Sequence, residues 1–169
     1  LQELLRAYHA QVKDVVRECG GYIAKFMGDG VLIYFCYPQA HEDDAERAVR
    51  AALALAKNIG QLRVAGGEPL NVRVGIATGL VVVGDLIGSG EAQERSIAGE
   101  TPNLAARLQG LAEPGMVIIA DGTRRLVGDL FELSGLTPSA LKGFSEPVRA
   151  WRVVGEGRAK LRDDELLAF

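Results

Sequence analysis

Apolar residues near the start of the chain recur at three- and four-residue intervals: Leu1, Leu4, Leu5, Tyr8, Val12, Val15 and Val16. That is the spacing of one buried helix face, and Gly20-Gly21 supplies the stop. Gly21 to Met27 reads as a strand and Val31 to Tyr37 as a second. Between them Gly28-Asp29-Gly30 has the composition of a hairpin turn. The second strand is apolar on both faces, which predicts a central place in a covered sheet. Pro38 ends it, and Glu42-Asp43-Asp44 opens a helix whose buried stripe is Ala45, Ala48, Val49, Ala52, Leu53, Ala56 and Ile59.

Period-two alternation then sets in. Leu70, Val72, Val74 and Ile76 alternate with Asn71, Arg73, Gly75 and Ala77, which predicts a strand. Leu80 to Ile87 reads as a further strand turning back on it, and Gly88 to Glu94 as a loop. Thr101 suits an N-cap and Pro102 a first helical position, so a helix is expected from Pro102 to Leu111. Met116 to Ala120 reads as a buried strand, with Asp121 capping a short helix to Val127. Residues 130–154 read as two strands around the loop Leu141-Lys142-Gly143-Phe144, and 155–169 as a charged tail or terminal helix. The order of elements predicts an α+β fold: a ferredoxin-like α/β sandwich with a mostly antiparallel sheet and helices packed on it.

Composition narrows the setting. The 169 residues correspond to about one domain. Nineteen Lys and Arg against 22 Asp and Glu give a net charge of −3 with no basic run, which argues against nucleic acid. Apolar runs are far shorter than a membrane span, and no signal peptide is visible. Cys19 and Cys36 have neither CxxC spacing nor enough histidine company for zinc, so both read as reduced residues of a cytoplasmic protein. The chain opens on Leu1 rather than Met. It is therefore expected to start inside a longer protein.

Polar residues at a few positions go beyond structure. Lys25 sits on a strand and Asp29 at a hairpin tip. Asn103 and Arg107, four apart, share one helix face beside the stripe Leu104, Leu108 and Leu111, and are expected near the helix–sheet boundary. Arg73 lies on the strand face opposite Leu70, Val72, Val74 and Ile76. Each signal alone has an ordinary reading as turn, snorkelling or surface chemistry.

Four ordered blocks together change that. They are Lys25-Phe26-Met27-Gly28-Asp29-Gly30, Val72-Arg73-Val74-Gly75-Ile76-Ala77-Thr78-Gly79, Gly99 to Leu108 with Asn103 and Arg107, and Leu141-Lys142-Gly143. In this order the blocks resemble the class III nucleotidyl cyclase catalytic domain, over residues 1–154. The resemblance implies conversion of ATP or GTP to the 3′,5′-cyclic monophosphate and pyrophosphate. It implies two divalent ions, Mg²⁺ or Mn²⁺, held by two aspartates, of which Asp29 matches the second. Lys25 matches the base-reading position, where lysine favours adenine, and Ser96 stands where its partner is commonly an aspartate. Asn103 matches the residue that orients the ribose, and Arg107 the one that meets charge at the α-phosphate. Arg73 and Lys142 match residues that hold the triphosphate.

The resemblance also implies a head-to-tail homodimer, ATP as substrate and regulatory domains elsewhere in the protein. The first metal aspartate belongs on a strand before the opening helix, so one strand is expected upstream of Leu1. Asp85 does not occupy the matching place and reads as structural or surface. A non-catalytic, dimerising or nucleotide-sensing module is the alternative. A nucleic-acid-binding sandwich fits the fold but not the charge, and Gly28-Asp29-Gly30 argues against a diguanylate-type turn.

Overall fold

A computed structural model describes residues 2–63, 66–83, 100–137 and 148–157. Its elements alternate as the periodicities require. Helix α1 (Gln2–Glu18) leads into strands β1 (Tyr22–Met27) and β2 (Gly30–Tyr34), then helix α2 (Asp44–Ile59) and strand β3 (Val74–Ile76). Helix α3 (Glu100–Leu111), strand β4 (Val117–Ala120), helix α4 (Asp121–Val127) and strands β5 (Phe131–Gly135) and β6 (Ala150–Glu156) follow.

The strands form two sheets. β1 and β2 make an antiparallel hairpin, and the other four are ordered β3-β4-β6-β5. β3 runs parallel to β4, whereas β4–β6 and β5–β6 are antiparallel, so antiparallel pairing predominates. Alternation along β4 shows how the layers close. Val117 and Ile119 join the core against α2, while Ile118 and Ala120 join the core under α3. With both faces covered, all four residues are buried. A third core packs Val12, Val15 and Val16 of α1 against Ala51, Leu55 and Ile59 of α2, with Ile23, Phe26, Val31 and Ile33 of the hairpin beneath.

Several elements differ from the sequence reading. β2 stops at Tyr34 rather than Tyr37 because Cys36 adopts φ 89°, which turns the chain ahead of a cis Tyr37–Pro38 bond. Only Val74–Ile76 of the alternating 70–76 segment is laddered, although Leu70 and Val72 pack inward as their period requires. Among the described residues Leu80 to Val83 pair with no strand, and Leu80 and Val82 are largely exposed. The rest of that expected strand lies outside the described residues. Asp121 does not cap α4: the capping position is Ala120, and the Asp121 carboxylate accepts from Arg125 and the Trp151 indole instead. β6 continues two residues past Val154.

Among the described residues β2 and β3 are each open along one edge, and a groove of about 1240 Å³ lies between the two sheets. Leu4, Leu5 and Tyr8, the first half of the α1 stripe, line this groove. Its walls are completed by Leu32 of β2, Leu70 and Val72 before β3, and Ala105 of α3.

Candidate functional site

The site residues are placed by three local features. The first is a β-bulge. β1 and β2 pair Ile23 with Ile33 and Phe26 with Val31, but Lys25 with Leu32, with a register shift between Ile23 and Lys25. One extra residue at Ala24 therefore lets Ile23 and Phe26 both face the helical core. Lys25 is left on the other face beside Leu32, and both line the groove. The second feature is the β1–β2 turn. Gly28 takes φ 60°, and the exposed Asp29 stands at the tip. Burial, and after it the Asp29 carboxylate, push the Tyr8 phenol above its ordinary pKa, which sets Tyr8 close to the turn.

The third feature is the crossing of α3 over β3. Gly75 pairs with Ile118, whose side chain faces α3. A Cβ on Gly75 would overlap the Ala105 carbonyl oxygen and the Gln109 amide nitrogen, so helix and strand backbones touch there. Leu108 is fully buried, with Leu104 and Leu111 packed beside it. Asn103 and Arg107 follow on the outer side of the helix, and both are exposed rather than held at the helix–sheet boundary. Thr101 does not act as a side-chain cap. The helix starts at Glu100, and the Thr101 hydroxyl donates to the Leu80 carbonyl at 2.9 Å.

Lys25, Asp29, Arg73 and Asn103 thus line one groove, together with Tyr8 and Asn71. Arg107 lies on the same helix as Asn103 but not among the lining residues. Ser96 and Lys142 lie outside the described residues. Tyr8 and Asn71 were not singled out by sequence reasoning. Tyr8 carried a signal as the polar-tipped member of the α1 stripe, whereas Asn71 looked like one more outward position of an alternating strand.

Residues suited to a metal are few. Asp29 is the carboxylate of the groove, and among the described residues no group of three or more His, Cys, Asp or Glu could hold an ion. The described residues alone therefore do not fit a two-metal centre. Among them no helix is long and apolar enough to cross a membrane.

Comparison with known proteins places this geometry. A family model described as the adenylate and guanylate cyclase catalytic domain matches residues 1–155. Adenylate cyclase 1 of Rhizobium meliloti is 32% identical over 92% of the chain, which spans 24% of that protein. Other curated relatives are likewise longer, the chain spanning 8% to 38% of their length. Among solved structures, the adenylyl cyclase CyaB from P. aeruginosa is 31% identical with TM-score 0.78, over 94% of this chain and 84% of that one. The guanylyl cyclase Cya2 is 33% identical with TM-score 0.76, over 92% and 81%.

Proposed function

The chain belongs to the adenylate and guanylate cyclase catalytic domain family, and from that premise we propose that it converts ATP to 3′,5′-cyclic AMP and pyrophosphate. The observation that carries the choice of base is Lys25 itself, which the bulge in β1 turns to the groove face beside Leu32 rather than into the helical core. An ammonium only donates. It suits the acceptor N1 of adenine, whereas N1 of guanine carries a hydrogen and calls for an acceptor.

In this reading the ribose 3′-oxygen attacks the α-phosphorus in line. The O3′–P bond forms, the bond from phosphorus to the bridging oxygen breaks, pyrophosphate leaves, and the 3′-hydroxyl proton is released. Asn103 orients the ribose by hydrogen bonding, which removes rotational freedom before reaction. Arg107 presents a fixed fork of donors to charge developing on the α-phosphate oxygens. Arg73, with Lys142, offsets the charge of the triphosphate, and Ser96 joins Lys25 at the base. The family generally uses divalent metals. Asp29 would be one ligand, with a second carboxylate from outside the described residues.

We further propose a head-to-tail homodimer, in which Asp29 of one subunit and Lys25, Asn103 and Arg107 of the other serve the same nucleotide. Leu80, 96% exposed, and Val82, 70% exposed, support association through that part of the surface. A cytoplasmic location and attached regulatory domains go with this reading; both cysteines are free thiols. That Asp29 is the only carboxylate lining the groove among the described residues also favours a second reading, a non-catalytic module that binds nucleotide or dimerises.

The natural protein that carries this chain, assayed with ATP and with GTP in the presence of Mn²⁺, separates the readings. Cyclic AMP formation is expected. A demonstrably dimeric protein that makes no cyclic nucleotide would leave the module. Lys25→Glu combined with Ser96→Cys is expected to lower ATP use relative to GTP, and an unchanged ratio removes Lys25 as the base reader.

A further inference from the structure

The α3 helix rests on β3 where there are no side chains to interlock. Helices usually fix their placement by ridges packing into grooves, but at Gly75 the contact is backbone against backbone, with the Ala105 carbonyl and the Gln109 amide against the strand. Such a bare seat sets how closely the helix approaches; Leu108, with Leu104 and Leu111, holds the middle and end of α3 in the core, and the first turn needs a further contact. A second contact lies four residues along the chain from Gly75. A Cβ on Gly79 would stand 2.5 Å from Thr101 Oγ1, and that same hydroxyl donates to the Leu80 carbonyl at 2.9 Å.

These two anchors bracket the residues that matter. Thr101 and Ala105 are one turn apart, about 6 Å along the axis at 1.5 Å per residue, and Asn103 lies between them. Arg107 lies between Ala105 and Gln109, the pair seated on Gly75. Any slip of the helix would move both side chains relative to Arg73, which belongs to the chain segment leading into β3. We infer that Thr101 is a positioning residue, whose hydroxyl, bonded to the Leu80 carbonyl, locks α3 in the placement that Asn103 and Arg107 need. The inference rests on the cyclase reading above. Thr101 itself touches no reacting atom.

The chemistry gives the lock leverage. Misplacing a catalytic group by about 1 Å costs on the order of 100-fold in rate. The hydrogen bond is a single, solvent-exposed one, so its loss should disturb the reaction more than the folded state. Valine matches threonine in shape without the hydroxyl, and serine keeps the hydroxyl without the methyl.

The test uses the natural protein, comparing Thr101→Val and Thr101→Ser for kcat, KM and Tm. Thr101→Ser is expected to retain at least about half of the wild-type kcat. Thr101→Val is expected to lose roughly tenfold or more in kcat, with KM changed less than about threefold. Its Tm should stay within about 3 °C of wild type, as for loss of one exposed hydrogen bond. Gly79→Ala, which displaces the hydroxyl from the other side, should reproduce the kcat loss. Equal turnover in the valine and serine variants overturns the inference, as does a kcat loss that merely follows a collapse in Tm. A wild-type protein without turnover would count against the cyclase reading itself. The positioning role is then read from hydrogen exchange at the α3 amides: faster exchange in the valine variant alone upholds it, and equal exchange in the two variants overturns it.

Discussion

Replacing Gly75 by alanine adds one methyl group to the contact between β3 and α3. The added carbon would overlap the Ala105 carbonyl oxygen and the Gln109 amide nitrogen, with the Gln109 Cα at 3.1 Å. None of these is the end of a flexible side chain, so relief requires the helix to lift from the strand. That lift also loosens Leu108, which is fully buried. Overpacking of this kind costs about 1–3 kcal/mol, and a contact made wholly by backbone belongs near the upper end. For a domain of 169 residues, each kcal/mol corresponds to about 2–4 °C, so Tm should fall by roughly 5–10 °C. Gly110 supplies the control on the same helix. Nothing lies within 4 Å of its added Cβ, and alanine in place of a helical glycine should stabilise by about 0.5–1 kcal/mol, raising Tm by about 1–4 °C. Thermal unfolding followed by circular dichroism reads both. A Gly75→Ala protein that melts at or above the wild-type temperature would refute the close-contact argument.

Other expectations follow from single residues. Arg107→Ala should lower cyclase turnover about 100- to 1000-fold, as loss of a transition-state donor does, with Arg107→Lys recovering only part because the fork is lost; near-wild-type kcat in the alanine variant would strike Arg107 from the site. Cys36 is exposed, whereas Cys19 is partly buried and its thiol is pushed above the ordinary value, first by burial and then by Glu18. Mass spectrometry after brief alkylation at pH 8 should therefore find Cys36 labelled well before Cys19, and equal labelling would contradict that difference. The Arg125 guanidinium, and secondarily the Trp151 indole, hold the Asp121 carboxyl below the ordinary value of 3.8. A depressed carboxyl stabilises the fold above its unfolded pKa and loses that contribution as pH falls through the folded value. Asp121→Asn should thus lower Tm by about 1–2 °C at pH 7, with the gap closing below pH ~3.8; a gap that widens in acid would reverse the sign of the argument.

Periodicity made the helices legible because each carries an apolar stripe that one core consumes. Val12, Val15 and Val16 are buried as their spacing requires, and Leu104, Leu108 and Leu111 form the inner side of α3. Lys25 and Asp29 were legible as a motif, but the reason they occupy one groove was not. The bulge at Ala24 decides which face Lys25 takes, and nothing in Tyr-Ile-Ala-Lys-Phe-Met announces which residue is the extra one. Hydroxyl and carboxylate groups misled for a related reason. Thr101 and Asp121 have cap-forming side chains, yet each found a partner distant in sequence, Leu80 and Trp151, that local spacing could not reveal. The β2 terminus at Tyr34 depended on a backbone conformation at Cys36 that cysteine seldom adopts.

The open edges of β2 and β3, strands that both line the groove, bear on how the chain behaves in the test tube. Along each edge the outward N–H and C=O groups have no ladder partner among the described residues, and Leu4, Leu5 and Leu32 give the space between them an apolar lining. An edge of this kind is a template for any extended peptide that comes within reach. Concentrating the 169-residue chain by itself therefore invites strand-to-strand adhesion between molecules, on the surface that Lys25 and Asn103 share. Its measured activity would then depend on protein concentration.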